Sequence, residues 1–100
     1  MTVRYRLLFH RAARKEWGKL SPDIRARFKA KLAKLLDGVE SPTPANRLAG
    51  GGQDLYKIKL RQSGYRLAYK LNRCELTILV IAIGKRERDS VYRALSKRVE

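Results

Sequence analysis

The sequence has very few of the residues that build metal sites and acid–base catalysts. Among its 100 residues there is one cysteine, Cys74, and one histidine, His10. A single cysteine cannot form an internal disulfide, and together with one histidine it is too little for a zinc site. We therefore expect no metal and no cofactor, and we expect His10 to be a helix cap or a surface residue.

Acidic residues are also scarce. Lys and Arg total 24 against 9 Asp and Glu, which gives a net charge of +15 and a pI near 10.7. No acidic residue lies between Tyr56 and Arg73. A balance this basic indicates a nucleic acid, an anionic membrane surface or an acidic protein as the partner.

Long apolar runs are absent. No stretch approaches the roughly 20 apolar residues of a membrane-spanning helix, and the first residues lack the apolar core of a signal peptide. A membrane surface is therefore a weak candidate for the partner, and we expect the protein in the cytoplasm. A chain of this length fits one domain, residues 1–100.

Apolar periodicity predicts the element order βααβββα, an α+β domain whose mostly antiparallel sheet has helices packed on one face. Ser21 is expected to cap the second helix, with Pro22 at its first position and Gly38 at its end. The predicted elements are a strand at Val3–Phe9, a helix from His10, a helix from Pro22, a hairpin at Leu55–Lys70, a central strand at Glu75–Ile83 and a short helix after Asp89-Ser90.

The hairpin alternates apolar and basic residues, which places its cations on one face. Like charges directly across a sheet repel. A face that nevertheless concentrates cations is best explained by a polyanion that covers it, and phosphate is the obvious candidate. A two-residue turn at Ser63-Gly64 predicts three opposed pairs: Arg61 with Arg66, Lys59 with Ala68, and Lys57 with Lys70.

Several segments occur together at a spacing that is specific to one family. They are Ala45-Asn46-Arg47-Leu48, Tyr56–Arg61, Ser63–Leu67, Gly84-Lys85-Arg86-Glu87-Arg88 and Val91-Tyr92. Lys15-Glu16-Trp17 in the first helix and the helix lengths match as well. With these residues nearly the whole chain resembles the RelE family of bacterial and archaeal toxins.

The resemblance implies a function and a partner. RelE-type toxins are ribosome-dependent endoribonucleases that cut messenger RNA in the ribosomal A site, and a RelB-type antitoxin holds them inactive. The implied chemistry is attack of a 2′-hydroxyl on the adjacent phosphate, which leaves a 2′,3′-cyclic phosphate and a 5′-hydroxyl. Expected partners are thus messenger RNA on the ribosome, ribosomal RNA and a cognate antitoxin.

The resemblance also implies the site residues. In the family the general base is sought among the lysines, the arginines stabilise the phosphate and assist the leaving group, and the tyrosine orients or stacks the substrate. The implied catalytic set is Lys57, Lys59, Arg66, Arg86 and Tyr92. The cations to which we assign RNA binding are Arg61, Lys70, Lys85 and Arg88.

The acid–base chemistry of such a site is weak. Neighbouring positive charge disfavours a protonated amine, so a lysine among cations has a lowered pKa and becomes a usable base. Lys59, with Lys57 and Arg61 two residues to either side, is the best candidate. A chain with so poor a set of proton carriers should depend on the ribosome to position the messenger.

A second function remains open on the residues alone. A basic hairpin also suits a non-catalytic RNA-binding or ribosome-associated module, whose affinity would come from phosphate contacts and whose arginines would be individually dispensable. The presence of Arg86 and Tyr92 together with the hairpin cations favours the enzyme, because a passive binder does not need that combination.

Overall fold

The structure is a computed structural model that describes residues 4–38, 54–85, 93–94 and 97–98. Residues 93–94 and 97–98 are helical, within the region where the sequence predicts the last helix. The other elements are β1 (Arg6–Phe9), α1 (Arg11–Lys19), α2 (Pro22–Leu36), β2 (Leu55–Leu60), β3 (Tyr65–Asn72) and β4 (Thr77–Lys85).

The four strands form one mixed sheet in the order β1-β4-β3-β2. β2 pairs with β3 and β3 with β4 in antiparallel fashion, while β1 runs parallel to β4. The prediction of a mostly antiparallel sheet is confirmed, and so is the interior position of the apolar strand that became β4. β2 is an edge strand of this sheet.

The predicted helix caps are present. The His10 side chain accepts a hydrogen bond from the Ala12 N–H at 3.2 Å, and Ser21 Oγ accepts one from the Ile24 N–H at 3.4 Å. Pro22 occupies the first turn of α2, and Gly38 adopts a φ of 72°, which favours glycine. His10 therefore acts locally, as a cap.

The main core lies between α1, α2 and one face of the sheet. Phe28 of α2 is fully buried there, together with Leu67 of β3 and Val80 of β4. Trp17 packs between Phe9 and Phe28, with ring centroids 5.4 and 6.4 Å away. We call this side of the sheet the helix face. Among the described residues no helix is long and apolar enough to cross a membrane.

Two strand boundaries differ from the prediction. β1 begins at Arg6 because the Tyr5 N–H donates to the carbonyl of Leu36 at the end of α2, at 2.8 Å, rather than to a strand. β4 begins at Thr77 because Asn72 Oδ1 accepts the Cys74 and Glu75 N–H groups and keeps both residues in a turn.

Gly84 was expected to end β4, and this was wrong. It lies opposite Arg66, and the strand continues to Lys85, which pairs with Tyr65. β4 therefore extends two residues further than Ile83.

The predicted hairpin register was also wrong. The turn has four residues, 61–64, in which the Gly64 N–H donates to the Leu60 carbonyl at 2.9 Å and Gly64 adopts a φ of 75°. The register therefore shifts by two residues, and the strand side chains keep their predicted faces because the side-chain period is also two. Arg61, predicted to lie opposite Arg66 in the sheet, is in the turn instead. The observed pairs are Lys59 with Arg66, Lys57 with Ala68, and Leu55 with Lys70.

A smaller apolar cluster lies on the opposite side of the sheet. It contains Leu55, Ala68, Ile81 and Ala82, and Ala94 packs against it. Ala94 is one of the helical residues near the C-terminus. α1 and α2 thus pack on one face as predicted, while a C-terminal residue packs on the other.

Candidate functional site

Three cations come together on the side of the sheet opposite to α1 and α2. Lys57 and Lys59 project from β2, and Arg66 lies directly across from Lys59 on β3. We call these three residues the cationic face. Directly opposed residues of an antiparallel pair have Cβ atoms about 5 Å apart, so Lys59 and Arg66 can reach the same anion.

The hairpin itself gains little from this arrangement. A like-charge pair placed directly across a ladder destabilises it, and no acidic residue occurs between Tyr56 and Arg73. Lys59 is exposed and Arg66 is half-buried. Arginine beside a phosphate can form two parallel charge-assisted hydrogen bonds, while lysine supplies a compact charge. The geometry therefore fits a phosphodiester.

The described cations assigned to RNA binding occupy three different places. Lys70 lies on the same side of the sheet as Arg66, but four residues along β3, which is about 13 Å. Lys85 is in register with Tyr65 and so faces the other side, with its Nζ 5.5 Å from the centre of the Tyr65 ring. Arg61 is exposed in the turn. The structure therefore groups Lys57, Lys59 and Arg66 and spreads the others around them.

Arg86, Arg88 and Tyr92 lie outside the described residues. The chain that leads to them is described up to Lys85. Gly84 of that strand is the direct neighbour of Arg66 across β3 and β4. Arg86 is thus two residues after Gly84 in the sequence, and Gly84 is the residue of β4 that pairs with Arg66.

A basic groove joins the cationic face to helix α2. It has a volume of about 440 Å³. The Arg27 guanidinium is held at its rim, with Nη1 donating to Gln62 Oε1 at 3.3 Å and Nε 3.3 Å from Asp23 Oδ2. We call this the α2–β2 groove; its lining residues are Arg27, Ala30, Lys31, Lys59, Leu60, Arg61 and Gln62.

Sequence reasoning missed Arg27 and Lys31 as site residues. They are four residues apart on α2 and so share one side of that helix. This spacing was visible in the sequence, but the sequence does not show that the same side of α2 lies against the turn between β2 and β3. The groove requires the packing of the helix on the sheet edge.

Two tyrosines of the hairpin lie on the side of the sheet away from the cationic face. Tyr56 and Tyr69 are buried on the helix face, with ring centroids 5.7 Å apart. Burial raises the pKa of the Tyr69 phenol above its usual value, and the neighbouring Tyr56 raises this pKa further. Tyr69 is buried in the main core, so the described side chains that reach the cationic face from the hairpin are lysines and an arginine.

Comparison with known proteins assigns the family. Residues 7–90 match the family model described as ParE toxin of type II toxin–antitoxin system, parDE. The chain is 47% identical over 96 residues to a protein of Escherichia coli K12 named mRNA interferase toxin RelE, covering 95% of this chain and 97% of that protein.

Two solved structures agree with this. A mutant of E. coli toxin RelE in the free state superposes with a TM-score of 0.83 at 40% identity, covering 97% of this chain and 99% of that one. The toxin of the intact E. coli RelBE toxin–antitoxin complex gives a TM-score of 0.75 at 44% identity, covering 84% and 99%. The chain belongs to the RelE/ParE family of toxins of type II toxin–antitoxin systems, which confirms the resemblance seen in the sequence.

Proposed function

We propose that this chain is the toxin of a type II toxin–antitoxin system, and that it stops translation by cleaving messenger RNA in the ribosomal A site, in the cytoplasm. The observation that carries the proposal is the cationic face, where Lys59 opposes Arg66 with Lys57 beside it on the same strand. Its support is the 47% identity to a protein named mRNA interferase toxin RelE.

The reaction begins when a 2′-oxygen of the messenger attacks the adjacent phosphorus. Lys59, which lies directly across from Arg66, accepts the proton of the 2′-hydroxyl. The phosphorus becomes pentacoordinate and gains negative charge, which Arg66 and Arg86 stabilise with oriented charge-assisted hydrogen bonds. The bond to the 5′-oxygen breaks, the arginines stabilise the charge on this leaving oxygen, and the oxygen takes a proton from water. Tyr92 orients or stacks the substrate. The products are a 2′,3′-cyclic phosphate and a 5′-hydroxyl.

The proposed dependence on the ribosome follows from the weak proton carriers of the cationic face. The hairpin supplies no carboxylate. The ring of the single histidine, His10, is used as the cap of α1. With such weak proton carriers most of the rate must come from holding the 2′-oxygen in line with the phosphorus. We infer that the ribosome does this, while Arg61, Lys70, Lys85 and Arg88 contact flanking backbone phosphates.

The antitoxin is the second partner in this proposal. A solved complex of the related RelBE pair supports a RelB-type antitoxin as the partner of this chain. With a net charge of +15 the toxin favours an acidic segment, which also binds quickly because opposite charges steer the encounter. We propose that this segment covers the cationic face or displaces the last helix from it.

The test compares two forms of one messenger. Purified chain is added to ribosomes programmed with the messenger and, separately, to the same RNA without ribosomes, and the new 5′ ends are mapped. We expect cuts within the A-site codon, with 5′-hydroxyl ends, and almost none on naked RNA. Equal cutting of naked RNA would show that the ribosome is not required. Ribosome binding without any cutting would support the non-catalytic RNA-binding module instead.

A further inference from the structure

The α2–β2 groove has two basic walls. Arg27 and Lys31 belong to the wall that α2 forms. Lys59 and Arg61 belong to the other wall, which consists of β2 and the turn that follows it. Among the described residues that line the groove, four are therefore cations and none is acidic. A cleft lined by charge of one sign concentrates ligands of the opposite sign, so the groove favours an anionic ligand.

The size of the groove and its apolar residues narrow the class of ligand. Its volume of about 440 Å³ lies within the roughly 300–1,000 Å³ of small-molecule sites and exceeds what one phosphate group fills. On each wall an apolar residue lies between the two cations in the sequence, Ala30 on α2 and Leu60 at the end of β2. A nucleotide matches this combination, because its phosphate is anionic and its sugar and base have apolar surfaces.

A side-chain contact joins the two walls. Arg27 Nη1 donates to Gln62 Oε1 at 3.3 Å, which connects α2 to the turn. Asp23 Oδ2 lies 3.3 Å from Arg27 Nε, on the same helix. Walls that are already connected lose less freedom on binding than walls that must first be brought together. Removing Arg27 would change the shape of the groove as well as its charge, so Lys31 is the better α2 residue to test.

The groove and the cationic face share a residue. Lys59 lines the groove and also lies directly across from Arg66 on β3. Arg61, the next groove cation along the chain, follows Lys59 by two residues, which is about 7 Å at the spacing of a strand. Neighbouring phosphates of an extended RNA strand are separated by a similar distance. A strand whose reacting phosphate lies at Arg66 therefore reaches the groove with its next nucleotide.

We propose that the α2–β2 groove is a subsite for the messenger nucleotide next to the one that is cut. Lys31 and Arg61 contact the phosphate of this nucleotide, and the apolar residues of the two walls contact its sugar or base. The inference rests on the proposed function. It favours the messenger over ribosomal RNA or an acidic protein segment, because only the messenger strand is covalently continuous with the phosphate bound at Arg66.

The test measures binding to ribosomes programmed with messengers that cannot be cut. In every messenger a 2′-hydrogen replaces the 2′-hydroxyl throughout the A-site codon and the nucleotides that flank it. A set of these messengers carries an uncharged methylphosphonate at one linkage each, so that every linkage of the region is neutralised in turn. We expect one linkage beside the scissile one at which this change weakens binding roughly 2- to 5-fold, the size of an exposed ion pair.

Lys31→Ala identifies the protein partner of that linkage. In this variant the methylphosphonate should cause no further loss of affinity there, because the two changes remove the same interaction. Lys29→Ala is the matched control, since Lys29 is also exposed on α2 but is not among the groove residues. It should show the full loss that the wild type shows.

A second variant tests the space in the groove without changing its charge. Ala30→Leu puts a larger side chain into the groove, and alanine and leucine are both good helix formers, so α2 should be retained. We expect this variant to bind all the uncut messengers more weakly. Ala33→Leu makes the same change at an exposed position of α2 that is not among the groove residues, and it should bind as the wild type does.

Three results would overturn the subsite. A methylphosphonate loss that is equal in Lys31→Ala and Lys29→Ala at every linkage would assign Lys31 to ribosomal RNA. Normal binding of every messenger by Lys31→Ala would show that the groove takes no RNA and would leave an acidic protein segment as its occupant. Normal binding by Ala30→Leu would show that no nucleotide fills the space.

The proposed function is tested separately, by cleavage of the unmodified messenger by the wild-type chain. If no cleavage occurs but Lys31 is coupled to one linkage of the messenger, the proposed reaction fails. The groove then remains a messenger subsite, on a module that binds RNA without cutting it.

Discussion

The two faces of the sheet come from alternate residues of the same strands, and on β2 they differ in character. Ile58 is buried on the helix face, whereas its neighbour Lys59 is exposed on the other side. The helix face is filled by apolar side chains around Phe28. The cationic face places a like-charge pair, Lys59 and Arg66, directly across the ladder. The proposed function therefore assigns stability and chemistry to residues that are neighbours in the sequence.

The largest expected effect is a loss of unfolding free energy when a residue of the helix face is removed. Phe28→Ala removes a fully buried ring that packs with Trp17, and we expect it to lower the free energy of unfolding by about 3–5 kcal/mol. Urea unfolding followed by circular dichroism measures this. Arg66→Ala, measured alongside, should change the unfolding free energy by less than about 1 kcal/mol. A loss for Arg66→Ala as large as that for Phe28→Ala would show that the two faces do not divide these roles.

A smaller effect, on the affinity for programmed ribosomes, is expected when a cation of the α2–β2 groove is removed. Lys31 lines the groove, while Lys29 is also exposed on α2 but is not among the groove residues. Lys31→Ala should weaken binding to programmed ribosomes, lower the slope of log affinity against log salt by about 1, and leave the saturated cleavage rate unchanged. Lys29→Ala is the matched control. The same loss in both variants would mean that overall charge, and no particular groove, governs binding.

Local sequence signals were enough to predict much of the fold. Ser21-Pro22 and Gly38 mark the ends of α2 through their own backbone and side-chain chemistry, which needs no distant partner. The faces of the residues in β2 and β3 were predicted correctly because an even shift of register leaves them unchanged, whereas Arg61 lies in the turn and not in the sheet. The register itself was predicted wrongly, because it depends on the length of the turn, which is set by the hydrogen bond from the Gly64 N–H to the Leu60 carbonyl.

The site was predictable only in part, for a related reason. The alternation of Lys57 and Lys59 is local, so the cationic face could be expected from the sequence. The contact of Arg27 with Gln62 spans 35 residues and depends on how α2 packs against the turn between β2 and β3. No periodicity or motif in the sequence predicts this contact. The same is true of Lys31 and Arg61, which line one groove although they lie on different elements.

The most direct test of the central claim asks whether the cationic face carries out chemistry or only binds. Arg66→Ala and Arg61→Ala remove the same side chain from the strand and from the turn of one hairpin. In single-turnover assays at saturating programmed ribosomes, Arg66→Ala should cleave on the order of 100-fold or more slowly with its affinity nearly unchanged, because a transition-state contact is lost. Arg61→Ala should bind more weakly and cleave normally once saturated. An Arg66→Ala variant that lost affinity but kept its saturated rate would contradict the catalytic role and leave a binding surface.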